Sequence, residues 1–150
     1  MAYFKGAFIL IISFIFCFEL FCQSSEDISL GEDSTHLQSM LSLAKQKINN
    51  MEDDLALIIL NKAKKITSTC HCDLYRIKTF ELLNQVYFKK VNYRAQIICL
   101  LELEHLYLKY KQSNKLRRVY DELAKTYIPI GDSQKAISYY YEKLNLCGKK

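Results

Sequence analysis

Tryptophan is absent from the 150 residues, proline occurs once, at Pro129, and glycine only four times. So few breakers exclude a β-sandwich or barrel, which needs turn residues about every 8–12 positions. Glycine-rich phosphate loops, a nucleophile elbow, a zinc-protease histidine pair and a carboxylate pair in a glycine-rich loop are all missing. The chain is therefore expected to be non-catalytic, with no cofactor. Charge is mixed in sign, with a net +5. The excess is scattered over Lys62, Lys64 and Lys65, over Lys115, Arg117 and Arg118, and over Lys149 and Lys150. No aromatic residues interleave with it as a recognition motif, so nucleic acid is not an expected partner.

A long hydrophobic run is lacking as well. The apolar stretch from Ala7 to Phe18 reaches only ~18 Å as a helix, short of the ~30 Å hydrocarbon core of a bilayer. It follows Lys5 and gives way to polar residues at Gln23, Ser24 and Ser25. This is the n-, h- and c-region order of a secretory signal peptide, with cleavage expected after Cys22. An uncleaved anchor that tolerates Glu19 and a lipoprotein acylated at Cys17 or Cys22 are the alternatives. Residues 1–22 are thus the signal segment, 23–34 a polar linker and 35–150 the folded domain. The domain is expected outside the cytoplasm, periplasmic or on the extracytoplasmic face of a bacterial membrane. Contact with the membrane is expected only through the N-terminal segment.

Half of the residues are hydrophobic, enough to build a core. Their spacing is helical and recurs with an offset of 40. Met40, Phe80 and Tyr120 align, as do Leu43, Leu83 and Leu123, then Ala44, Asn84 and Ala124. Further along, Ile48, Phe88 and Ile128 coincide, and so do Leu60, Leu100 and Tyr140. Within each unit the apolar positions step by three and four. Start and stop signals divide the pattern into six helices, near 35–49, 52–68, 73–90, 93–111, 114–129 and 133–147. Thr35 with Gln38 reads as a capping box, with Ser34 as the other candidate cap. Asn50 with Asp53 opens the second helix, and Gly131 supplies a left-handed turn before Asp132 and Ser133. Short loops make neighbouring helices antiparallel.

This pattern resembles the tetratricopeptide repeat (TPR). Tyr120, Leu123, Ala124, Tyr127, Gly131, Ala136 and Tyr140 fit the motif in the third unit; Met40, Leu43, Ala44, Ala56, Leu60 and Ala63 fit it in the first. The second supplies Phe80, Leu83, Tyr87 and Leu100. Lys47, Asn84 and Lys143 depart from the motif, Met51 and Val91 stand where the turn glycine belongs, and the period is 40 against the usual ~34. The resemblance implies an all-α fold: a right-handed α-solenoid of about three antiparallel helix-turn-helix repeats, near 35–71, 73–111 and 114–148, behind an N-terminal signal helix. Longer repeats of this kind are similar to those in extracytoplasmic sensory regions of bacterial signalling proteins. That similarity implies an alternative, the truncated sensory region of a two-component histidine kinase or a LuxR-type regulator.

In such stacks the first helix of each pair lines a concave groove. The resemblance therefore assigns partner binding to Lys45, Ile48, Lys78, Gln85, Phe88, Arg118, Lys125 and Ile128. They would form a basic groove with apolar spots, suited to an extended peptide or a partner helix. Tyr139, Tyr140 and Tyr141 on the last helix predict an uncovered aromatic end, open to docking or self-association. Cys70-His71-Cys72 has metal-ligand flavour, but a site wants a fourth ligand and His36 and His105 lie elsewhere, so no metal is expected. Free, partly buried thiols are the expectation, with a Cys70–Cys72 link as the alternative in an oxidising compartment.

Overall fold

The structure, a computed structural model, describes residues 34–70 and 72–148. The signal segment, the linker up to residue 33, His71 and the two terminal lysines lie outside the described residues. The chain divides into a unit Met1–Leu37 and a unit Gln38–Lys150. Of the first, only a turn of helix is described.

Among the described residues the fold is all-helical, with six helices and no strand. They are α1 (residues 34–49), α2 (Asp53–Thr69), α3 (Asp73–Lys89), α4 (Tyr93–Lys109), α5 (Ser113–Tyr127) and α6 (Ser133–Gly148). Each expected helix is present, with boundaries within two residues. From α2 onward the helices begin at 20-residue intervals, so the offset of 40 is twice a shorter helix-plus-turn unit. The eighth residue after each N-cap is large: Leu60, Phe80, Leu100 and Tyr120 are all buried at this place. Full burial of such a side chain contributes about 1.5–3 kcal/mol.

Four of the turns share one hydrogen-bond pattern. The N–H of Met51, Val91, Lys111 and Gly131 reaches back three residues, to the carbonyls of Ile48, Phe88, Leu108 and Ile128. The next N–H, from Glu52, Asn92, Gln112 and Asp132, reaches back five, to Lys47, Tyr87, Tyr107 and Tyr127. This is the Schellman stop, whose C′ residue sits in the left-handed region and satisfies carbonyls that the helix leaves open. Gly131 takes φ +86° there without a Cβ to clash. Met51 (φ 61°), Val91 (φ 54°) and Lys111 (φ 52°) adopt the same region with side chains. The missing turn glycines therefore do not change the turn; they load it with backbone strain.

Two caps differ from expectation. Asp132 Oδ1 accepts from the Lys135 N–H at 3.1 Å and opens α6, as the sequence suggests. Asn50 does not cap α2, whose N-cap is Glu52 without a side-chain cap; the Asn50 amide instead donates to Glu52 Oε1 at 3.3 Å. Thr35 is already helical and is not the cap of α1. Asn92, unremarked in the sequence, caps α4 by accepting from the Ala95 N–H at 3.2 Å.

Successive helices from α2 to α6 pack against one another, and bonds across them show the directions. Arg76 near the start of α3 reaches Glu102 late in α4 at 2.7 Å, and Lys109 at the end of α4 pairs with Asp73. Lys143 of α6 bonds Asp121 of α5 at 2.5 Å, and Tyr139 stacks on Tyr127 with centroids 5.8 Å apart. These neighbours are antiparallel. Alternate helices meet through side chains: Lys89 Nζ at the end of α3 donates to the Ile48 carbonyl of α1 at 3.0 Å, and Asn84 of α3 donates to Glu122 of α5 at 2.7 Å.

The offset of 40 does not equalise burial. Leu83 and Leu123 are in the core, but Leu43 is 44% exposed. The first helix instead buries Leu37, Leu41, Ala44 and Ile48. One residue of shift turns the apolar stripe by about 100° around a helix of 3.6 residues per turn.

Candidate functional site

Between α3 and α5 runs a trough with α4 as its floor. Its wider half, a cleft of about 420 Å³, is lined by Asn84, Gln85 and Phe88 of α3, Tyr93 and Gln96 of α4, and Glu122, Lys125 and Thr126 of α5. The adjoining half, about 220 Å³, has Glu81 on one wall and Lys115 and Arg118 on the other. Leu100, Leu103 and Tyr107 floor it. Floor residues 96, 100, 103 and 107 step by four and three, which puts them on one face of α4. Asn84 and Glu122 belong to both halves, and the bond between them crosses the trough.

Polar atoms here are mostly engaged within the fold. Tyr107 donates to Glu81 Oε1 at 2.5 Å, and Lys115 approaches the same oxygen at 3.5 Å. Burial, followed by the bond to Glu81, raises the Tyr107 hydroxyl well above its ordinary value, so it stays a donor. Asp121 holds both Lys125, at 2.6 Å, and Lys143. The bonds from Lys125 and then Lys143 lower its carboxyl below the usual range. Thr126 back-bonds to the Glu122 carbonyl at 2.7 Å, so its hydroxyl is satisfied inside the helix. One atom differs. Asn84 Nδ2 faces the Glu122 carboxylate, which needs a donor and so fixes the amide's orientation. Asn84 Oδ1 is then buried without a hydrogen-bond partner.

The eight residues expected to bind a partner fall into three groups. Gln85, Phe88 and Lys125 share the wider half, and Arg118 lines the other. Lys45, Lys78 and Ile128 are exposed on α1, on α3 and just beyond α5, outside both halves; Lys78 lies 5.2 Å from the ring of Tyr75. Ile48 is a correction. It is 1% exposed, because the carboxyl end of α3 lies over the end of α1, and its side chain belongs to the core. Phe88, at the equivalent place one repeat later, is 68% exposed. In the wider half, sequence reasoning missed Asn84, Tyr93, Gln96, Glu122 and Thr126. Asn84 was legible as a polar residue where the repeat wants a small one; Glu122 carried no such signal.

Glu102 is tied to Arg76, and Glu104 shares a hydrogen bond with Tyr120 and has its carboxyl raised, burial being the main cause. Cys70 and Cys72 are half-buried, with the Cys72 thiol donating to the Cys70 carbonyl at 3.4 Å, and the Cys99 thiol is buried and pushed up to about 12 by burial. On α6, Ile137, Tyr141 and Leu144 form an exposed stripe. Among the described residues no helix is long and apolar enough to cross a membrane.

No family model matches the chain, and no curated protein matches its sequence. The functional reading rests on the trough.

Proposed function

We propose that this chain is a non-catalytic helical scaffold that holds a peptide or protein partner in the trough between α3 and α5. In this reading the six helices are three TPR-like hairpins of a right-handed solenoid, and the trough is its concave face. The carrying observation is the wider cleft, where exposed Phe88 stands beside the amides of Gln85 and Asn84 over a floor of α4. A large apolar side chain left in water among amide groups supplies both contact area and hydrogen-bonding specificity to an incoming chain. The signal-like residues 1–22 support an extracytoplasmic setting for that partner.

The test is affinity capture from a cell-envelope extract, comparing wild type with a Phe88→Ala/Lys125→Glu double variant. Both positions are exposed, so the variant is expected to keep its helicity. A partner retained by the wild type and lost by the variant is the expected result. Capture of the same partners in the same amounts by both proteins would overturn the assignment of the trough.

A further inference from the structure

Taking the trough as the binding face, we propose that its partner is an extended peptide segment with a carboxylate side chain and, about three residues away, a bulky apolar one. The first observation is where the charge lies. Helices α1, α3 and α5 carry nine basic and four acidic residues, whereas α2, α4 and α6 carry seven and five. All four acids of the first set are engaged within the fold. Asp73 is held by Lys109 and Tyr110, Glu81 by Tyr107 and Lys115, Asp121 by Lys125 and Lys143, and Glu122 by Asn84. The cations are not engaged to the same degree: among the described residues Arg118 has no carboxylate partner. Coulomb attraction therefore favours an anionic group at the Arg118 end.

The second observation is the division of the trough by the Asn84–Glu122 bond. On one side lie Lys115 and Arg118; on the other lie Phe88 and Tyr93. Phe88 follows Glu81 by seven positions on α3, and Lys125 follows Arg118 by seven positions on α5. At a 1.5 Å rise per residue this is about 10 Å. A segment in the polyproline II conformation rises about 3.1 Å per residue and brings every third side chain back to the same face, so a carboxylate over Arg118 sets an apolar side chain against Phe88 three residues on.

The two features fit one ligand: acid at one end, apolar group at the other.

Fluorescence polarisation of the full chain with labelled synthetic peptides tests this. Each probe places Asp-Ala-Ala-Phe, Asn-Ala-Ala-Phe, Asp-Ala-Ala-Ser or the same acid and Phe six positions apart between Gly-Ser spacers. The first is expected to bind at least about tenfold more tightly than each of the others, with its advantage over the Asn probe shrinking as salt is raised. Arg118→Glu is expected to abolish the preference for Asp over Asn, and Phe88→Ala the preference for Phe over Ser. Equal binding of the Asp and Asn probes would overturn the carboxylate while leaving the trough as a peptide site. Tight binding unaffected by either substitution would overturn the trough itself. Absence of binding by every probe, or equal competition by RNA or polyphosphate, would overturn the proposed ligand.

Discussion

Replacing Val91 by glycine should make the protein more stable, although it removes three carbons. Val91 stands at the left-handed position of the α3–α4 turn with φ 54° and is 60% exposed. The left-handed conformation costs an L-residue about 1–2 kcal/mol, and a β-branched side chain lies at the upper end. Glycine relieves that strain but adds about 0.5–1 kcal/mol of unfolded-chain entropy. Little buried surface is lost, so the net gain is about 1 kcal/mol, or ~2–4 °C in Tm for a chain of this length. Gly131 supplies the converse. A Cβ built there meets nothing within 4 Å, so Gly131→Ala changes only the backbone term and should cost about 1 kcal/mol. Chemical denaturation followed by far-UV circular dichroism measures both, provided the m-values agree. A destabilised Val91→Gly, or a neutral Gly131→Ala, would refute the claim that the two turns share one strained conformation.

Leu83 is 1% exposed at the centre of the described helices, and Leu83→Ala should cost about 2–5 kcal/mol by denaturant titration; a loss under ~1 kcal/mol would contradict its place in the core. Cys99, buried and with its thiol pushed up to about 12, should resist alkylation at mildly alkaline pH while the half-buried Cys70 is labelled, as read by site-resolved mass spectrometry. For Glu104, burial raises the folded carboxyl above its unfolded value, so ionisation disfavours the folded state. Stability from this group falls as pH rises from the ordinary carboxylate range through the raised value. Glu104→Gln should therefore be at least as stable as wild type at neutral pH, with a flatter pH profile in weak acid; a marked loss at neutral pH would show that the ionised form is favoured.

Helix positions were legible because their signals are local. Apolar residues at three- and four-residue steps mark each helix, and Gly131 with Asp132 marks a stop and a start within four residues of chain. The turns at Met51 and Val91 looked like departures because glycine is the usual left-handed residue. The structure shows that the hydrogen bonds to Ile48 and Lys47, and to Phe88 and Tyr87, are made with side chains in place. Lys111 forms the same turn between the 40-residue units, where an offset of 40 could not reveal a 20-residue rhythm.

The trough was only partly legible. Gln85, Phe88, Arg118 and Lys125 line it, but Ile48 does not, although it lies 40 positions from Phe88 and 80 from Ile128. Burial depends on which neighbouring helix end covers a side chain, and no property of that side chain records it. Asn84 and Glu122 lie 38 positions apart and bond only because α3 and α5 stand side by side. The order of residues thus determined by itself the helical class, the helix boundaries and the surplus of positive charge, because spacing, capping and composition act over a few residues or over none. Tertiary structure alone decided which apolar residues became core and which stayed in water, how the carboxylates were neutralised, and where one amide oxygen was left without a donor. Each of these requires bringing together groups that the chain keeps far apart.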